Sequence, residues 1–232
     1  MTPEPSYAGK SAYRGDVAAN YERDRVNETV WQQEQAWMER WAQRVPAGAR
    51  LLDVPAGTGR FTGFFLARGA HVTAVDISDD MLAELRRRWP ANPLLRVERA
   101  DAEALVYETG SFDFVVCWRL FHLLPEAAAE RVLRELARVC RGQIVLEVFG
   151  VESGSGLSGK LRAARRWLRK SFGSAKESCP WGHITNYVHQ ERRLQALFAT
   201  CGLQLAGVET LTEYRGAPAR IYLLERESGA RA

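Results

Sequence analysis

The chain has 232 residues, 46% of them apolar, and a formal net charge of +4. This length suffices for one α/β domain with a substantial core, and the mild charge says little about partners. The four cysteines are far apart and form no C-x-x-C pair, so we expect neither a metal site nor a disulfide framework. We find no signal peptide at the N-terminus and no apolar run long enough to span a bilayer, which predicts a cytoplasmic protein.

The N-terminal part of the chain, residues 1–47, is predicted to form a helical cap. Residues 29–44 place apolar side chains at helical spacing, which indicates an amphipathic helix whose tryptophans pack into the core. The sequence PAG at residues 46–48 ends this helix.

Short apolar strands then alternate with helices. The predicted strands are 50–54, 71–76, 94–99, 112–117 and 143–149, and the predicted helices are 59–68, 79–88 and 126–141. This alternation is typical of βαβ units, so we predict an α/β fold with a Rossmann-like, doubly wound, mostly parallel sheet. A helix at 189–201 is expected to precede a hairpin of strands 203–212 and 219–226 at the sheet edge.

Residues 150–187 interrupt the alternation with a glycine- and serine-rich run, a basic stretch and the sequence CPWGH. We interpret them as an insertion over the mouth of the site, within a single domain that spans residues 1–232.

The sequence LLDVPAGTGRF, residues 51–61, ends the first strand. Ligands of doubly wound sheets bind at the carboxyl ends of the strands, so this turn is the default site. The dinucleotide fingerprint G-x-G-x-x-G is incomplete, because Thr62 follows Gly57 and Gly59 at the third position. Asp53 would also repel a pyrophosphate, whereas it would attract an ammonium or sulfonium group.

Two further acids end the next two strands. Asp76 can accept hydrogen bonds from both hydroxyls of a ribose, and Asp101 can accept one from the exocyclic amine of adenine. Each acid alone is also explained as a helix cap or an ordinary strand end. Taken in order, the three acids describe an adenosine that carries an amino acid and no phosphate, which is S-adenosylmethionine.

These motifs resemble those of class I S-adenosylmethionine-dependent methyltransferases, in the broad group that includes the ubiquinone and menaquinone methyltransferases. LLDVPAGTGRF resembles the family's first motif, VTAVDISDDML the second, RADAEAL the third, and SFDFVVCWRLFHLL the fourth strand with its loop. The resemblance implies seven strands in the order 3-2-1-4-5-7-6, with strand 7 antiparallel. It implies that the cofactor is bound by Asp53, Pro55, Ala56, Gly57, Thr58, Gly59, Asp76, Ile77, Met81, Asp101, Ala102, Cys117 and Arg119.

The sequence AYRGDVAANYERDR, residues 12–25, resembles the segment that closes over the bound cofactor in many relatives. The resemblance implies that Tyr13 and Tyr21 lie near the cofactor. A helix that only packs on the domain explains the same pattern equally well.

Methyl transfer depends mainly on positioning, and a general base helps when the acceptor is a hydroxyl of high pKa. The candidate bases are His122, after the fourth strand, and His183, at the end of the insertion. Packing on the next helix would explain His122 equally well, and a place in a surface loop would explain His183.

Residues 160–172 carry six basic side chains among apolar ones at near-helical spacing. They can form an amphipathic helix on the inner, anionic face of a membrane, or bind a phosphorylated or nucleic-acid substrate. The pattern slightly favours a third interpretation, a solvated cover helix whose arginines pair with acids elsewhere.

We therefore expect S-adenosylmethionine-dependent methyl transfer to oxygen or carbon of a small-molecule or lipid-like acceptor. The first alternative is a methyltransferase that acts on RNA or protein, although CWRLF stands where an N-P-P-Y-type motif would be, so nucleic acid is a disfavoured partner. The second alternative is a non-catalytic cofactor-binding regulator, which the intact Asp53 and Asp76 disfavour. The sequence does not define the oligomeric state.

Overall fold

The computed structural model describes residues 13–149, 187, 189–214 and 217–226. A seven-stranded sheet in the order β3-β2-β1-β4-β5-β7-β6 forms its centre. The strands are β1 (Arg50–Asp53), β2 (His71–Asp76), β3 (Leu95–Arg99), β4 (Phe112–Cys117), β5 (Cys140–Phe149), β6 (Leu203–Tyr214) and β7 (Ala217–Arg226). Strands β1 to β5 are parallel, and β7 is antiparallel to both of its neighbours. The predicted fold class and strand order are therefore confirmed.

Helices pack against both faces of this sheet. Within the described residues they are α1 (Asp16–Ala19), α2 (Thr29–Ala42), α3 (Thr62–Ala67), α4 (Asp79–Arg88), α5 (Glu126–Val139) and α6 (Glu191–Thr200), with a 3-10 turn at Phe121–Leu123. The predicted helix at 59–68 begins three residues late, because the turn continues through Gly59, whose φ is +77°. The fifth strand begins at Cys140, directly after α5, and not at residue 143 as predicted.

The side chains of successive strand residues point into two separate layers of the core. Val115 and Ile144 belong to the layer that contains side chains of α5 and α6. Val116 and Val145 belong to the opposite layer, with the apolar side chains of α2 and α3. Trp37 and Trp41 of α2 lie in this second layer, as the helical spacing predicted, and their indole nitrogens donate hydrogen bonds to polar side chains of the sheet.

The strand order places the carboxyl ends of three strands side by side. Because β2, β1 and β4 are neighbours in the sheet, Asp76, Asp53 and Cys117 end strands along the same edge. Asp53 is level with Ala74 of β2 and with Val116 of β4. The turns that follow these strands must therefore face one another, and they define the position of the site.

The basic segment at 160–172 lies outside the described residues. The predicted insertion at 150–187 also lies outside them, except for residue 187. Among the helices that the structure does describe, none has the length and apolarity needed to cross a bilayer.

Gly142 allows a close approach between β4 and β5, where the register of the two strands shifts. A Cβ atom at this position would lie 2.2 Å from the carbonyl oxygen of Asp113. We expect Gly142→Ala to lower the free energy of unfolding by about 1–3 kcal/mol, since the backbones must move apart. Urea unfolding followed by circular dichroism measures this loss.

Gly207→Ala in β6 is the matched control for this substitution. Its Cβ atom would lie 3.5 Å from Leu223 Cδ1, which is an ordinary contact. We expect a change within about 0.5 kcal/mol. Equal losses in the two variants would contradict the steric explanation.

Candidate ligand-binding site

A cavity of about 780 Å³, its open mouth included, lies at the carboxyl ends of β1, β2 and β4. Its walls are the turns after these strands together with the N-terminal cap, here the segment from Tyr13 to the end of α2. The lining residues are Tyr13, Tyr21, Trp31, Asp53, Pro55, Ala56, Gly57, Thr58, Arg60, Phe61, Asp76, Ile77, Ser78, Met81, Trp118, Arg119, Leu120 and Leu123.

The turn after β1 needs both of its glycines, for different reasons. Gly57 has a φ of +56°, a backbone conformation that residues with side chains disfavour. Its amide donates a hydrogen bond to Asp76 at the end of β2. Gly59 has a φ of +77°, and a Cβ there would lie 2.8 Å from Leu85 Cγ. Gly57 thus shapes the cavity wall, whereas Gly59 allows α4 to pack against the turn.

Asp76 connects the ends of two strands. Its Oδ2 accepts a hydrogen bond from the Gly57 amide at 3.0 Å, and its Oδ1 accepts one from the Ser78 amide at 2.9 Å. Burial raises the pKa of this carboxyl, while the backbone amides of Ser78, Gly57 and Ile77 oppose the rise. Ser78, rather than Asp76, caps α4, since its Oγ accepts from the Met81 amide. Each carboxylate oxygen retains a lone pair for a ligand hydroxyl.

Asp53 is the most enclosed carboxylate of the cavity, with 2% of its surface exposed. Burial raises its pKa to about 7, the hydroxyl of Thr62 opposes this shift, and the charge of Asp76 adds to it. A cation bound in the cavity would favour the ionised form and lower this pKa. Asp53 is therefore suited to sense a positively charged ligand near neutral pH.

The opposite end of the cavity contains two arginines held by one buried carboxylate of α2. Glu34 is fully buried, accepts from Arg60 Nη1 at 2.5 Å and accepts from Arg119 Nε at 3.0 Å. The Arg60 guanidinium carbon lies 3.3 Å from the centre of the Trp31 ring, a cation–π contact. The cavity is thus acidic at its β1 and β2 ends and basic beside α2.

Sequence reasoning missed Trp31, Glu34 and Arg60. One signal was present, because Glu34 lies on the apolar face of α2 among Trp31, Trp37 and Met38. A carboxylate on the buried face of a helix requires a charged partner, and so indicates a second charged group nearby.

The N-terminal cap forms part of the cavity wall, and its closing over a bound cofactor stays a prediction. Tyr13 and Tyr21 line the cavity, with their ring centres 5.8 Å apart in an edge-to-face arrangement. The Gly15 amide donates to Asp80 of α4 at 2.8 Å. The Thr58 hydroxyl donates to Glu22 of the cap at 2.7 Å, so the cap is bonded to the turn after β1.

Three predicted cofactor ligands besides Gly59 lie outside the cavity lining. Asp101 accepts from the Glu103 amide at 3.0 Å within its own loop, and Ala102 packs against the core. Cys117 is fully buried in the layer beneath α5, where burial raises the pKa of its thiol. The following residues, Trp118 and Arg119, form the wall in its place. Ligand contacts of Asp101 and Ala102 stay predictions.

The structure describes only one of the two candidate bases, His122. The His122 ring packs edge-on against Phe149, with ring centres 5.1 Å apart. Burial, then the charge of Arg119, lowers its pKa to about 3, so its imidazole is neutral and weakly basic. This environment favours the packing interpretation. His183 lies outside the described residues.

Comparison with known proteins agrees with this geometry. Residues 51–143 match a family model described as a methyltransferase domain. A demethylmenaquinone methyltransferase of Clavibacter sepedonicus is 35% identical over 60% of this chain and 57% of its own length. A phosphatidylethanolamine N-methyltransferase of Cereibacter sphaeroides is 38% identical over 43% of this chain and 50% of its own. The chain thus spans about half the length of these relatives.

Among solved structures, the magnesium protoporphyrin IX methyltransferase of Synechocystis PCC 6803, with bound S-adenosylhomocysteine, has a TM-score of 0.69. The alignment covers 94% of this chain and 98% of the other, at 16% identity, which bears on the fold alone. With the match over residues 51–143, the shared sheet confirms the resemblance that the four motifs predicted.

The raised pKa of Asp53 predicts how stability depends on pH. The folded chain holds this proton up to about pH 7, whereas the unfolded chain releases it near pH 4, so ionisation destabilises the fold between these values. We expect the free energy of unfolding of the wild type, relative to Asp53→Asn, to fall by roughly 2–4 kcal/mol from pH 4 to pH 7. Urea unfolding at several pH values measures it.

Asp113→Asn is the control, because Asp113 has a lowered pKa: burial raises it, but the Arg50 amide and Arg141 outweigh burial. The stabilising effect of Asp113 is lost only as the pH falls below the ordinary pKa of an aspartate. Its difference from the wild type should be flat between pH 5 and pH 7. A flat difference for Asp53→Asn over this interval would contradict a raised pKa.

Proposed function

We propose that this chain, whose residues 51–143 form a class I S-adenosylmethionine-dependent methyltransferase domain, transfers the methyl group of S-adenosylmethionine to oxygen or carbon of a small-molecule or lipid-like acceptor. The observation that carries the proposal is the pair of buried carboxylates, Asp53 and Asp76, in one cavity at neighbouring strand ends. Such a pair opposes a pyrophosphate and favours an adenosine with a cationic tail.

The residues present fit this cofactor. Asp76 has lone pairs available for ribose hydroxyls, and Ile77 and Met81 offer apolar surface for the adenine. Asp53 lies on the next strand, where a positive charge would stabilise its ionised form. When bound, the cofactor supplies an activated methyl group on a positively charged sulfur. The chain itself binds and orients it, and the Tyr13–Tyr21 cap excludes water.

Apolar side chains of the cavity wall outside the 118–120 turn support an apolar acceptor. They are Trp31, Phe61 and Leu123. Two relatives are named for demethylmenaquinone and phosphatidylethanolamine, which supports a lipid-like acceptor. The second name specifies methylation at nitrogen, so the acceptor atom must be determined by experiment.

Asp76→Ala should weaken the binding of S-adenosylhomocysteine at least about tenfold. Hydrogen bonds to a charged group contribute roughly 1.5–3 kcal/mol each, and 1.4 kcal/mol corresponds to one decade. Asp76→Asn should fall between the wild type and Asp76→Ala, since it keeps the shape and loses the charge. Titration calorimetry on variants that melt cooperatively measures the affinities.

Glu130→Ala serves as the control, because Glu130 lies on the exposed side of α5 in an ion pair with Arg134. This variant should bind like the wild type. A folded Asp76→Ala variant with wild-type affinity would rule out the assigned role of Asp76.

Incubation with methyl-labelled S-adenosylmethionine tests the acceptor class. Cell extract is separated into organic-soluble, aqueous small-molecule, RNA and protein fractions, and each is offered to the chain. We expect the label in the organic-soluble or small-molecule fraction. Label in RNA or protein would support the macromolecular alternative, and binding without transfer to any fraction would support the regulator.

A further inference from the structure

A fully buried glutamate on β5 holds the backbone of the turn after β4. Glu147 Oε2 accepts a hydrogen bond from the Arg119 amide at 2.9 Å. Cys117 and Leu146 are level in the β4–β5 pair, which places Glu147 beside this turn. Arg119 has a φ of +53°, a left-handed conformation that is uncommon for a residue with a long side chain.

A left-handed non-glycine residue persists only where its surroundings hold it in place. Arg119 is held at two points, its amide by Glu147 and its guanidinium by Glu34. The Glu34 contact connects Arg119 to α2, whereas the Glu147 contact sets the path of the backbone. The backbone conformation of this turn therefore depends on Glu147, whose carboxyl group does not itself line the cavity.

The turn forms the end of the cavity that is most distant from the nucleoside position. Asp76 ends β2, and β1 separates β2 from β4 in the sheet. At the usual spacing of strands, the ends of β2 and β4 are about 10 Å apart. A nucleoside held at Asp76 would extend its tail past Asp53 towards the wall formed by Trp118, Arg119 and Leu120.

We propose that Glu147 is a positioning residue, which holds the Arg119 amide so that the turn after β4 receives the amino-acid tail of the bound cofactor. The inference rests on the proposed function. It assigns a role in ligand binding to a side chain that lies outside the cavity lining.

The electrostatic environment of Glu147 suits this role. Burial, and then the nearby charge of Glu34, raise the pKa of its carboxyl well above the usual range, although Arg119 opposes the rise. A neutral carboxyl still offers a carbonyl oxygen to the Arg119 amide. The amide oxygen of glutamine can accept the same bond, so Glu147→Gln is a close mimic.

The test compares two ligands that differ in the amino-acid tail. S-adenosylhomocysteine carries the tail, and 5′-methylthioadenosine lacks it. Glu147→Met keeps much of the side-chain volume and removes the acceptor, and Glu147→Asp shortens its reach. We expect either variant to bind S-adenosylhomocysteine about tenfold more weakly, and 5′-methylthioadenosine within about twofold of the wild type. Glu147→Gln should bind both ligands like the wild type.

Val145→Ala is the matched control, because Val145 is a buried β5 residue that packs into the core on the same face of the sheet. It should lower stability and leave both affinities unchanged. Equal weakening of the two ligands, or no weakening of either, in folded Glu147→Met or Glu147→Asp would overturn the positioning role. Failure of the wild type to bind S-adenosylhomocysteine would instead overturn the proposed function.

Discussion

The carboxylate of Asp76 joins the two turns on which the cavity depends. It accepts from the Gly57 amide after β1 and from the Ser78 amide at the start of α4. Asp76 is only 7% exposed, and these two hydrogen bonds offset much of the cost of burying its carboxylate. The acid that we assign to the ribose thus also maintains the shape of the glycine turn, and binding and architecture share one side chain.

A second constraint acts from the cap. Glu34 reaches from α2 to Arg60 and Arg119, residues 26 and 85 positions away, and so brings three separate segments to one wall. Its burial requires these partners, since an unpaired carboxylate there would be costly. Arg119 is in turn fixed by Glu147 through its backbone. The basic end of the cavity is therefore a connected set of charged and hydrogen-bonding groups, in which each group has a partner on another element.

The mostly parallel α/β sheet and the two cavity acids followed from local patterns: apolar runs, their alternation with helices, and a charge where each run ends. The strand order was implied by the family resemblance and not by these patterns. The same rule does not determine where a side chain points, because neighbouring strand residues face opposite layers of the core. Cys117 enters the core for this reason, while Trp118 lines the cavity. Glu34 and Glu147 could not be assigned from sequence, since their partners are set by tertiary contacts.

The central claim is that the cavity binds an adenosine with a cationic tail and no phosphate. Titration calorimetry of the wild type with S-adenosylhomocysteine and with NAD, under the same conditions, tests it most directly. Asp76 suits the ribose of either ligand, whereas Asp53 opposes a pyrophosphate, so the comparison isolates the acidic end of the cavity. The account predicts saturable binding of S-adenosylhomocysteine and no heat with NAD. Binding of NAD without any response to S-adenosylhomocysteine would contradict it.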